Sequence, residues 1–208
     1  MRVQTIQREV FTFDELSDDA KQKVCSREGE HFETWFIYDD IVRMAEILGI
    51  EIDTHPVKLY GGGTSSNPCI YWSGFWSQGD GACFTGTYQY AKGSTRTIRA
   101  ESNDGDLHQI ADDLRAVQRK NFYRLEAKIT HRDRYYHAHS MDIDVVDRED
   151  QYRDLGDAED AIKEALRDFA NWMYKRIEEE YEYQTSEEAV RETAHANDWE
   201  FYENGDMA

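Results

Sequence analysis

The sequence predicts an α+β fold, a mostly antiparallel sheet built around two hairpins with helices packed on one face. Three observations carry this. Two paired runs of alternating apolar and polar residues lie at 69–90 and 122–146. Helix-period stripes lie outside them, at 31–48, 104–121 and 157–184. Together the runs amount to about five or six strands, mostly antiparallel, with the helices on one face. Residues 1–150 are expected to form the core, and 151–208 an acidic helical segment packed on it, one domain overall.

Taken in order, Val3, Ile6, Val10, Phe11 and Phe13 suggest an opening strand over 3–13. Ser17 is placed to cap a short helix reaching about Arg27, because Asp18 and Asp19 meet the positive end of its dipole. In 31–48, Ile37, Ile41, Met44, Ala45 and Leu48 share one helical face, and Gly49 is the stop. Residues 50–60 read as a strand interrupted near Pro56, and GGGTSSNP (61–68) reads as a loop by composition.

In the hairpin 69–90, WSQGDG is the turn, since Gly79 and Gly81 permit positive φ. Leu107, Ile110, Ala111, Leu114 and Val117 stripe the helix 104–121, with Asp104 or Asn103 as its cap. The second hairpin joins 122–132 to 135–146 through HRDR. Ala158, Ile162, Ala165, Leu166, Phe169, Trp172, Met173 and Ile177 give the helix 157–184 its apolar face. Thr185 or Ser186 caps a last helix ending near Asn197, and WEFYENG forms a terminal strand or tail.

The formal net charge is −19, and residues 142–208 supply −15 of it, with 22 Asp/Glu against 7 Lys/Arg. Phosphate contacts need Lys and Arg, so this third disfavours nucleic acid and favours a basic partner. The one local basic cluster, RAVQRKNFYR (115–124), complements a helix dipole, and the overall charge argues against a nucleic-acid contact there. Cys25, Cys69 and Cys83 lack CxxC spacing, no signal-peptide pattern opens the chain, and no apolar run approaches the roughly 18 residues of a membrane helix. The expectation is a protein of a reducing cytoplasm with free thiols and no membrane contact.

The stretch YWSGFWSQGDGACF (71–84) holds the densest aromatic content. Ser73 lacks the GxSxG frame of a nucleophile elbow, and the glycines enter a strand instead of a helix N-terminus. Cys83 on an alternating strand reads as a small hydrophobe. A binding loop would instead use Trp72, Phe75 and Trp76 as a flat aromatic surface, with Asp80 beside them. His137 and His139, two apart on an expected strand, face one side, and His131 on the neighbouring strand is a third potential metal ligand. On the long helix, Asp157, Asp160, Glu164 and Asp168 repeat at helical spacing, an acidic row that a nucleic-acid mimic would use.

SGFWSQGDGACF, with FDELSDDAK before it and LRAVQRKNFYRLEAKITHRDRYYHAHSMDID after it, resembles a group of small phage and prophage proteins. These are often labelled antitoxins of a toxin–antitoxin stability system. The resemblance spans roughly residues 11–205, including TSEEAVRETAHANDWEFYENG, and carries over no catalytic residue. It implies a phage accessory protein acting in the bacterial host cytoplasm.

The functional expectation is a non-enzymatic inhibitor without cofactor or resident metal. It would bind a host complex in counter-defence, as an anti-CRISPR or anti-restriction protein does. Its contacts would be Asp157, Asp160, Glu164, Asp168, Glu178, Glu179 and Glu180, with Trp72, Trp76 and Asp80. An antitoxin masking a toxin through hairpin 71–84 is the alternative. A metal- or nucleotide-dependent enzyme using His131, His137, His139, Asp80 and Cys83 is a third reading.

Overall fold

In the computed structural model, which describes residues 7–132 and 134–208, period-two burial builds one four-stranded antiparallel sheet. Its strands are β1 (Ile50–Ile52), β6 (Gly86–Gln89), β7 (Leu125–His131) and β8 (Met141–Asp147), adjacent in that order. Ile50, Ile52, Tyr88, Leu125, Ala127, Ile129, Ile143 and Val145 fill one face. On the other, Glu51, Thr87, Lys128 and Asp144 form one cross-strand row facing water, acid and base alternating with Thr87 between.

Between β1 and β6 the chain makes two ribbons. β2 (Thr54–Lys58) pairs with β3 (Thr64–Pro68), and β4 (Ile70–Trp72) with β5 (Ala82–Phe84). The loop expected over 61–68 is therefore in part a strand. Its polar residues gain little from burial, but the full Thr54–Lys58 register satisfies their backbone. The first hairpin also differs from expectation, because 82–90 is two strands. Gly86 lets β1 approach the start of the second strand closely: a Cβ there would lie 2.0 Å from the Glu51 carbonyl oxygen.

The helices of this region are α2 (Trp35–Leu48), α3 (Ser94–Glu101), α4 (Gly105–Lys120) and most of α5 (Asp157–Gln184). α2 starts four residues later than its periodicity suggests, and Gly49 ends it at φ +88°. α3 has no apolar stripe in the sequence. It buries Ile98 completely and packs on α2 and α4. Phe84 meets Phe169 of α5 edge-on at 5.8 Å, joining the ribbon to the helix.

The chain folds as two units, Trp35–Arg176 and a smaller one made of the chain up to Thr34 with Ile177–Ala208. The smaller unit holds α1 (Asp18–Glu28), α6 (Glu187–Ala196) and the C-terminal end of α5. Its core is Phe13, Leu16, Ala20, Val24, Val190, Ala194 and Phe201. Ser17 and Ser186 are the caps, each accepting a backbone N–H three residues on. The opening strand does not form as expected. Val3 and Ile6 lie outside the described residues, Phe11 makes only a bridge to Phe201, and Phe13–Glu15 is a 3-10 turn closed by the Thr12–Glu15 capping box. Among the described residues no helix is long and apolar enough to cross a membrane.

Candidate functional site

A groove of about 660 Å³ runs between α4 and α5, wholly within the larger unit. Alanines are prominent in its lining: Ala116 from α4, and Ala158, Ala161 and Ala165 from α5, with Ala165 and Val117 buried. Small side chains here leave a trough where larger ones would fill the space between the helices. Its rim is acidic, with Asp113 from α4 and Asp157, Glu164 and Asp168 from α5; Lys120 stands at one end.

The carboxylates converge because the two helices are fixed together. Asp104 caps α4 by accepting the backbone N–H groups of Asp106 and Leu107, at 2.8 and 3.3 Å. Its other oxygen accepts the indole N–H of Trp172 on α5 at 2.9 Å. Burial alone would raise the Asp104 pKa, but the Trp172, Leu107 and Asp106 hydrogen bonds and the Arg176 charge outweigh it and hold the carboxyl lowered. Lys175 adds an ion pair to Asp106 at 2.6 Å.

Asp168 feels the crowding. Its carboxyl is raised, first by burial and then by the charges of Glu164, Asp113 and Asp106. Glu164 is its i,i+4 neighbour, whereas Asp113 and Asp106 come from α4. The helical spacing of the acids in the sequence reveals one wall of this site. The other wall needs the tertiary packing of α4 and has no sequence signal of its own.

The remaining expected contact residues are dispersed. Asp160 is exposed on α5 outside the groove lining. Glu178, Glu179 and Glu180 fall in the smaller unit, where Glu180 accepts a hydrogen bond from Gln184. In the aromatic hairpin, Trp72 is partly buried, stacked on Phe75 at 5.1 Å, and its indole N–H donates to the Tyr38 hydroxyl. Tyr174 donates to the Gly74 carbonyl, and its ring packs on Phe75. Asp80 shapes the turn by accepting the backbone N–H groups of Trp76 and Ser77, at 3.0 and 2.7 Å. Trp76 is left 84% exposed.

The histidines are arranged differently from the expected strand. His137 precedes, and His139 belongs to, a 3-10 turn at Ala138–Ser140, and β8 begins only at Met141. The period-two argument that aims both rings to one side therefore does not apply. His131 ends β7, its ring stacked on Tyr71 at 5.8 Å. Among the described residues no three His, Cys, Asp or Glu side chains group to hold a metal ion. Cys83 is fully buried; burial pushes its thiol up to about 11, against the lowering effect of its hydrogen bond with Ser140. Tyr71 is pushed up to about 12, chiefly by its hydrogen bond with Cys69 and then by burial.

No curated protein and no solved structure matches the chain. The sequence model of one family matches residues 34–187, a stretch that contains the sheet, both ribbons and the groove. On that match the chain belongs to DUF8835, a domain of unknown function.

Proposed function

We propose that this protein is a binding protein whose α4–α5 groove receives a basic, partly apolar element of a protein partner. The observation that carries the reading is that Asp113 of α4 and Asp157, Glu164 and Asp168 of α5 line one groove together with four alanines. Acids scattered on one solvated helix face would confer solubility alone. A two-walled trough with like charges forced together is electrostatically complementary to Lys and Arg, and its alanines accept the aliphatic stems of those side chains. A basic partner entering it would offset both the burial that chiefly raises Asp168 and the repulsion from Glu164, Asp113 and Asp106 that adds to it.

The phage and prophage resemblance supplies the setting: a counter-defence protein that occupies a basic surface of a host complex, of the kind that otherwise holds nucleic acid. The 84% exposure of Trp76 favours a second contact through the aromatic hairpin, which is where an antitoxin reading would place its toxin. The test is a paired charge reversal, Glu164→Lys with Asp168→Lys, against a control reversal of the exposed Glu51 and Asp144 on the open sheet face. The groove variant loses counter-defence activity and the control retains it. Equal activity in both would refute the assignment.

A further inference from the structure

The turn between α4 and β7 is the one place where the described backbone sets two consecutive non-glycine residues in the left-handed region, Phe122 at φ 57° and Tyr123 at φ 61°. Helices that end this way usually place glycine in the first of these positions, because a side chain there is strained. The turn is held firmly all the same. Tyr123 N–H donates to the Gln118 carbonyl at 2.8 Å, and the buried Gln118 amide bridges both backbone groups of Leu125. Burial offsets little of the strain, since Phe122 is 73% exposed and Tyr123 41% exposed.

The chain segment that carries these rings is basic, although Asp147, Glu149 and Asp150 lie near its last residue, Arg124. Residues 115–124 contain Arg115, Arg119, Lys120 and Arg124 and no acid, in a chain of net charge −19. Arg124 lies 5.3 Å over one face of Phe122 and is engaged by Asp147 and Glu149. Arg115, Arg119 and Lys120 are exposed and carry no ion pair among the described residues. Tyr90 backs Tyr123 at 4.5 Å between ring centroids. Helix-dipole complementation explains charges in the last turn of α4. It does not explain aromatic rings pushed into water beside them at the expense of backbone strain.

We infer that this knuckle is a binding platform for a short stretch of single-stranded nucleic acid, a base stacking on the open face of Phe122 and its phosphates held by Arg115, Arg119 and Lys120. A π-face beside unpaired cations matches a base joined to phosphates. An acidic peptide would use the cations and leave the ring idle. A duplex hides its base faces, and extending one beyond the patch brings its phosphates against the rest of a strongly anionic protein. The platform adjoins the acidic groove at Lys120, which stands at that groove's end, but it uses the opposite charge and goes beyond the function proposed for that groove.

The test is fluorescence anisotropy of a labelled ten-nucleotide oligodeoxythymidylate with the full chain. Saturable binding is expected at low salt, with log K falling against log salt at a slope of about −2, the value for three phosphates on a single strand. Phe122→Ala weakens binding about five-fold or more, and Arg119→Glu with Lys120→Glu abolishes it. Phe122→Gly also weakens binding while raising the Tm, because it relieves the left-handed strain. The inference is overturned by no binding at 50 mM salt, by unchanged affinity in Phe122→Ala, or by polyglutamate binding as tightly as the oligonucleotide. A Phe122→Gly variant with no gain in Tm removes the strain premise and overturns it equally.

Discussion

Replacing Asp168 with Asn should stabilise the protein at neutral pH, although it removes a charge from the surface of a soluble-looking helix. Asp168 faces Glu164 on its own helix and Asp113 and Asp106 on α4. Like-charge neighbours at helical spacing cost about 0.2–0.5 kcal/mol each at exposed positions. Asp106 is ion-paired with Lys175 and Glu164 with Arg167, so the relief comes mainly from Asp113 and amounts to roughly 0.2–0.5 kcal/mol. For a chain of this size that is a rise in Tm of about 0.5–2 °C.

The pH dependence has a definite sign. A carboxyl whose folded pKa is raised above its unfolded value destabilises the fold when ionised, and the penalty fades as pH falls through the folded pKa. The gain from Asp168→Asn is therefore present at pH 7, shrinks as pH falls into the carboxylate range, and shrinks in high salt. Thermal melts of both proteins at pH 7 and pH 4, in 20 mM and 1 M salt, measure it. A variant that is neutral or destabilised at pH 7 in low salt refutes the claim that carboxylates are crowded in this groove.

Three other perturbations test the scaffold around the site. Asp104→Ala removes the α4 cap and leaves the Trp172 indole without its acceptor, so urea denaturation should show a loss of about 1–3 kcal/mol. Gly49→Ala puts a Cβ 2.0 Å from the Gln89 carbonyl oxygen at φ +88°, and should cost more than about 1 kcal/mol in the same assay. Asp147 is buried and its pKa is lowered, first by Arg153, with Arg124 contributing. The stability it supplies is present above its unfolded pKa and lost as pH falls through the folded one. Asp147→Asn should be less stable than the parent at pH 7, and the two acid-unfolding curves should converge once the pH has fallen through the lowered folded pKa of Asp147.

The long helix 157–184 and the helix ending at Lys120 were legible in the sequence because periodicity and caps agree there, and Asp104 and Ser186 cap as their chemistry suggests. The second hairpin was legible from alternation; the first was legible only in part, since 82–90 divides at Thr85 and its second half joins the main sheet. α3 was not, since Ser94–Glu101 carries only Ile98 as a large apolar residue and owes its place to packing between α2 and α4. β3 was hidden for a related reason: TSSNP buries nothing, and its strand form rests on backbone pairing. Of the site, the α5 wall was visible as an acidic repeat. The α4 wall, with Asp113 and Ala116, depends on which face of one helix meets the other, which no local pattern encodes. Trp72 looked like part of an open aromatic surface, but Tyr38, 34 residues away in sequence, holds its indole.

The most direct test of the groove assignment is an NMR titration of the full chain with a helical peptide of alternating Lys, Arg, Ala and Leu. If the groove receives basic elements, shifts concentrate at Asp113, Ala116, Ala161, Glu164 and Asp168, and they disappear in the Glu164→Lys, Asp168→Lys variant. Shifts spread evenly over the exposed acids, with Glu182, Glu187 and Glu188 moving as far as Glu164, would contradict it.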